Sequence, residues 1–250
     1  MRARPFATTC HCAPHPGGGN LQVTLNLDPG HDITPDVLLR LRRPFEALEK
    51  IGRWGAMSGV GFPPRDSTMA LVANGVKAGP HSVRWDFQAI HVDRGTAFVI
   101  QNLVHHLHLH VVPVVALAIR SPLVRDGASI DEELPDDYEP CPFTVHDGRE
   151  STKVSIDVEF SARMPSSAAE PFREAWDGWY DVCAHGGFAS EDYPLEETSI
   201  YIEDDLKVVG DGIGGVFDDV VVDDAAFSCL VNMLQTLHHR LTPIATVTIE

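Results

Sequence analysis

The chain has 250 residues, 44% hydrophobic and 22% charged, with a formal net charge of −17; that is enough for one large domain or two modest ones, at a near-average globular composition. The longest apolar runs, such as Val111 to Ile119, are far short of the roughly 20 residues that cross a bilayer, and Met1 to Asn20 lacks the apolar stretch of a secretory signal. Five cysteines without framework spacing favour a reducing compartment, so a soluble cytoplasmic protein with no membrane partner is expected.

Residues 1–19 read as a flexible arm of Pro, Gly and small polar residues without a usable period. Leu21 to Leu27 alternates apolar and polar and predicts a half-buried strand. Thr34 or Asp36, beside Pro35, offers a helix start, and Val37, Leu38, Leu41, Phe45, Leu48 and Ile51 follow at helical spacing, with Pro44 expected to kink or split the helix. Gly55, Gly59, Gly61 and Pro63-Pro64 end it. Met69 to Ala73 predicts a strand, Asn74-Gly75 a hairpin turn, and Val83 to Val92 a second strand. A helix is expected from about Thr96 to His110, then a strand over Val114 to Ile119.

The second half repeats this order. Val154 to Phe160 alternates; a helix from Ser166 carries Phe172, Trp176, Trp179 and Cys183 as its inward stripe and stops at Gly186-Gly187. Ser199 to Glu203 predicts a strand, Asp204-Asp205 a turn, Leu206 to Val209 its continuation, and Gly210 to Gly215 a wide turn before Val216 to Val222. Phe227, Leu230, Val231, Leu234, Leu237 and Leu241 trace one helix face, and Ile244 to Ile249 is the last strand.

Shifting the chain on itself by about 130 residues makes the repetition explicit. Asn102-Leu103-Val104 falls on Asn232-Met233-Leu234, Leu107-His108 on Leu237-His238, Pro113 on Pro243, and Phe87 and Asp93 on Phe217 and Asp223. A register held over some fifty positions indicates an internal duplication. Each copy reads β-α-β-β-α-β, which by element order resembles tandem ferredoxin-like proteins. The expected fold is α+β: tandem duplicated ferredoxin-like units with antiparallel sheets and helices on one face. The expected boundaries are the arm at 1–19, a first unit at 20–120, an acidic, Pro-containing linker at 121–150 and a second, acidic unit at 151–250.

The copies differ in charge. Residues 1–125 hold 13 Lys+Arg against 8 Asp+Glu, a net of +5, and residues 126–250 hold 6 against 28, a net of −22. Concentrated carboxylates repel a nucleic-acid backbone and attract basic surfaces. The functional expectation is a non-enzymatic module that binds a basic protein and no nucleic acid directly; in its sharper form it is an immunity-type inhibitor of a nucleic-acid-targeting toxin. The expected contacts are Glu203, Asp204, Asp205, Asp218, Asp219, Asp223 and Asp224, with Tyr201 or Phe217 as aromatic anchors. The bland alternative is a solvated acidic face.

Other motifs carry less. In His105-His106-Leu107-His108-Leu109-His110, helical geometry puts His106 and His110 on one flank and His108 on the other, and points His105 away. Only His106 and His110 could then share a metal, and helix-end histidines suited to the dipole are the commoner explanation. Cys10-His11-Cys12 and His15 have ligand types but no second knuckle. Gly210 to Gly215 does not open a helix, so it is no phosphate loop. The acidic pairs lack EF-hand spacing, and no nucleophile motif is present. No cofactor and no catalytic residue are expected. The competing class is an enzyme or a small-ligand or metal-binding protein with its site in the cleft between the units, lined by His91, His106, His108 or His110.

Overall fold

The structure, a computed structural model, describes residues 4–12, 19–58, 63–92, 94–121, 140–209 and 211–250. The first half contains β1 (Ala7–Cys12), β2 (Gly19–Leu27), α1 (Pro35–Gly52), β3 (Met69–Ala78), β4 (Ser82–Ala89), α2 (Arg94–His110) and β5 (Val114–Ser121). The second contains β6 (Thr144–Asp147), β7 (Val154–Phe160), α3 (Ser166–Ala184), β8 (Ser199–Val209), β9 (Gly212–Val221), α4 (Ala225–Arg240) and β10 (Ile244–Ile249). The protein is mixed α+β. Its strands form two five-stranded sheets, ordered β1-β5-β2-β4-β3 and β6-β10-β7-β9-β8.

The sheets are mixed, which corrects the antiparallel expectation. β1 runs parallel to β5 and β6 parallel to β10; the remaining pairs are antiparallel. Both parallel strands come from stretches expected to be irregular, the arm at 1–19 and the linker at 121–150. Neither alternates strongly enough to announce itself. Their pairing is supplied by the free edges of β5 and β10, a tertiary partner rather than a local propensity. Phe6, just before β1, is buried between His105 and His108, and Phe143, just before β6, is buried beside His238. The rest of the linker, residues 122–139, lies outside the described residues.

Several turns also moved. Asn74-Gly75 is not a hairpin turn but a bulge inside β3, where the register to β4 slips between Leu71 and Val76 and Asn74 takes φ 57°. The chain reverses instead at residues 79–81, where the Gly79 amide donates to the Ser82 carbonyl. β8 runs through Asp204-Asp205 with register slips in place of the expected turn. Gly212, Gly214 and Gly215 lie in β9, not in a wide turn; a Cβ on Gly212 would sit 2.6 Å from the Val158 carbonyl oxygen, so the absence of a side chain admits the neighbouring strand. α1 passes through Pro44 as one helix, capped by the Thr34 hydroxyl, which accepts from the Val37 amide. α3 starts after Pro165 with no side-chain cap.

The inward stripes pack as expected: Leu41, Phe45, Leu48 and Ile51 on α1, and Phe172, Trp176, Trp179 and Cys183 on α3, are all essentially buried. The helices of the two halves pack on each other, α1 against α3. Gly178 makes this approach possible, because a Cβ there would lie 2.6 Å from Lys50 Cβ and 3.2 Å from the Ala47 carbonyl. No helix among the described residues is long and apolar enough to cross a membrane.

Two asparagines at corresponding positions tie the halves together. The buried Asn102 amide, on α2, donates to the carbonyls of Gly187 (3.0 Å) and Ala189 (2.8 Å), in the loop after α3. Asn232, on α4, donates in return to the Ala56 carbonyl, in the loop after α1, at 3.5 Å. Asn102→Ala leaves two buried carbonyls without donors and is expected to lower unfolding free energy by about 1–3 kcal/mol, with a smaller loss for Asn232→Ala. Urea denaturation measures both, and equal or negligible losses contradict the assignment.

Candidate functional site

β8 is the edge strand of the second sheet. It presents Tyr201, 61% exposed, and Ile202, 40% exposed, followed by exposed Glu203 and Asp204. Tyr201 pairs across the ladder with Asp218, which places both on the open face of the sheet. Asp219 takes a left-handed backbone (φ 51°), and its carboxylate accepts from the Ser199 hydroxyl at 2.9 Å. Two lysines nearby are already engaged: Lys153 pairs with Glu203 and Lys207 with Asp204. Of Asp205, only the position within β8 is described.

The other expected contacts lie elsewhere. Asp223 caps the turn into α4, where its carboxylate accepts from the Ala225 amide, and it lines the space between the halves. Asp224 pairs with Arg149 at 3.1 Å, and the Arg149 guanidinium lies 3.8 Å above the Phe227 ring. Phe217 is a correction: it is 1% exposed and packs against Trp176, Trp179 and Tyr180, so it anchors the core and no partner. Strand parity explains this, since an outward Asp218 requires an inward Phe217.

The same parity reveals acids that the sequence reading passed over. Asp157 and Glu159 of β7 are exposed, opposite Gly214 and Gly212, on the open face that Asp218 shares. Burial, then Glu250 and Glu159, raise the Asp157 carboxyl above the usual carboxylate value. In the first half the corresponding face carries Arg84 and Lys77, both paired with Asp86, and Arg120 opposite Gln22. The charge asymmetry of the halves is therefore also an asymmetry of their open sheet faces.

The histidine run divides into separate roles. His108 Nδ1 accepts the Val114 amide proton at 3.0 Å, and His238 Nδ1 accepts that of Ile244 at the same distance. In each half a histidine ring thus closes the helix-to-strand connection. His105 does not point away: it is half-buried against Phe6, and burial, then Arg4, lower its pKa.

His106 and His110 do share a flank, with ring centroids 4.6 Å apart, and His185 at the end of α3 lies 5.1 Å from His106. Among the described residues no three His, Cys, Asp or Glu side chains are arranged to hold a metal ion. Cys10-His11-Cys12 lies on β1, with His15 outside the described residues. Cys183 is fully buried, and burial pushes its thiol well up.

A cleft opens between the halves. One cavity, of about 490 Å³, is lined by Arg4, Phe98, Asn102, His105, Ser190 and Glu196. A second, of about 360 Å³, is lined by Met57, Thr96, Val99, Phe188, Asp223 and Asn232. Phe98, Ala189 and Ser190 border both. The Arg4 guanidinium donates to Asn102 Oδ1 at 3.0 Å and lies 5.4 Å over the Phe98 ring; burial lowers its pKa. Of the four histidines expected to line such a cleft, His91, His106, His108 and His110, none borders either cavity; His105 does.

Burial, then His185 and His110, hold His106 at about 4, against an ordinary 6.5. Arg40 and Arg43 line the same cavity as His106, and Asp181 lies one turn before His185. Above 6.5 neither the folded nor the unfolded state carries this proton, and the stability is fully present. Between 6.5 and about 4 the unfolded chain takes it up first, so stability falls with pH. The thermal midpoint is expected to drop across that window and to drop less in His106→Gln; a slope indifferent to that substitution contradicts the assignment. No family model matches the chain, and no curated protein is significantly similar to it.

Proposed function

We propose that the protein is a non-enzymatic binding module whose second, acidic half docks a basic protein through the β8 edge and the sheet face beside it. The observation that carries this reading is the exposed Tyr201–Ile202 pair on a strand that is, among the described residues, the edge of its sheet, flanked by Glu203, Asp204 and Asp218. An exposed edge offers backbone groups to a partner strand, and an aromatic anchor ringed by charge is the usual make-up of a tight, steered contact. The sharper form of the reading is an immunity-type inhibitor, in which these carboxylates meet the phosphate-binding surface of a nucleic-acid-targeting toxin. A cytoplasmic setting accompanies this proposal.

We further infer that the halves are copies of one ferredoxin-like unit with an added N-terminal strand. Matching sheet orders, paired Asn102 and Asn232, and the matched His108 and His238 support this.

A second reading, a small-ligand protein, is favoured by the joined cavities lined from both halves. Thermal melts against a panel of small organic acids and aromatic compounds test it, and a stabilising compound whose effect is lost in Ala189→Trp supports it.

For the leading reading, the immobilised protein is expected to retain basic partners from lysate of its own cells at low salt and release them at high salt. Tyr201→Ala is expected to weaken a purified partner by at least tenfold, a hot-spot-sized loss. Glu203→Lys with Asp204→Lys is expected to slow association. Retention that ignores salt and both variants contradicts the proposal.

A further inference from the structure

The face of α1 and the ends of α2 and α3 enclose a small solvent-open cavity of about 110 Å³ on the side of His106. Its polar lining is entirely basic: Arg40 and Arg43 from α1, His106 and His110 from α2, and His185 from α3. Two helix ends meet here, and each brings about half a negative charge within its last turn. That charge accounts for part of the cluster. Arg40 answers one end directly, donating to the His110 carbonyl at 2.6 Å, and His185 Nδ1 lies 2.6 Å from the Asp181 carbonyl at the other. The two guanidinium charges together exceed what two half charges require. No carboxylate lines the cavity, and among the described residues Asp181 forms no ion pair with either arginine.

We propose that this cavity is a binding site for a tetrahedral oxyanion, either inorganic phosphate or the phosphoryl group of a small ester. Its volume equals that of roughly three to four waters, the scale of such an ion. The Arg43 guanidinium is exposed at the mouth and supplies paired N–H donors that match phosphate oxygens. His110, also exposed, and His185, half-buried, supply the flanks. The guanidinium groups of Arg40 and Arg43 border the cavity with no carboxylate in its lining, and the anion provides the counter-charge. Because the donors come from α1, α2 and α3, a bound oxyanion ties the two halves together. The site is independent of the β8 edge.

The test uses the full chain and inorganic phosphate. Calorimetric titration is expected to show one saturable site, and the thermal midpoint is expected to rise with phosphate or sulfate but not with chloride at equal ionic strength. Arg43→Gln and His185→Gln are each expected to weaken binding at least tenfold, while Arg163→Gln, on an exposed residue outside the cavity, leaves it unchanged. Arg43 is exposed, so its variant keeps the test valid if His185→Gln does not fold. Glycerol phosphate binding as tightly as phosphate identifies an ester as the ligand class, and its exclusion identifies the free ion; either result upholds the site. Absence of saturable binding, or wild-type affinity in Arg43→Gln, overturns the proposal.

Discussion

The contact between the helical layers is the constraint on which the rest of the molecule depends. Gly178 lets α3 sit against Ala47 and Lys50 of α1 at a distance that no side chain permits. Asn102 and Asn232 then fix the arrangement by reaching across to carbonyls in the opposite half. Those carbonyls lie in loops that end α1 and α3, where the helix can no longer supply donors. Each half thus completes the hydrogen bonding of the other, and the cleft and the basic cavity exist only because that placement holds.

Within each half, one connection recurs in chemical detail. A histidine near the end of the second helix accepts the amide of the first residue of the final strand, six positions on. A proline precedes that strand in both cases, Pro113 and Pro243. The His-rich run on α2 is therefore several devices in succession. His108 closes the connection, His105 faces the cleft, and His106 and His110 turn toward α3.

Charge is partitioned by surface as well as by sequence. The open face of the first sheet neutralises its one buried acid, Asp86, with Arg84 and Lys77. The open face of the second has Asp157, Glu159 and Asp218, and the adjacent Lys153 and Lys207 pair with β8 acids rather than with these. Local ion pairs at exposed positions contribute little to stability. Their effect here is to leave the net field of that face negative.

Element type and order were legible in the sequence wherever a stripe was long and periodic, as with Leu41 to Ile51 or Phe172 to Cys183, because burial of one helix face demands that spacing. The matching order of elements in the two halves was legible for the same reason, since core positions recur at similar spacing. The alternation along β7 also held, and it already placed Asp157 and Glu159 outward. What the sequence did not determine was everything settled by a distant partner. β1 and β6 form because the edges of β5 and β10 are free. Asn74-Gly75 bulges instead of turning, because β4 pairs on past it. Phe217 is interior because the ladder sets its parity against Asp218. His185 reaches His106 only through the packing of α3 on α1, with nearly eighty residues of chain between them. Local pattern records which residues must be buried, whereas the choice of neighbour belongs to the tertiary structure, because it depends on surfaces that exist only once both halves have folded.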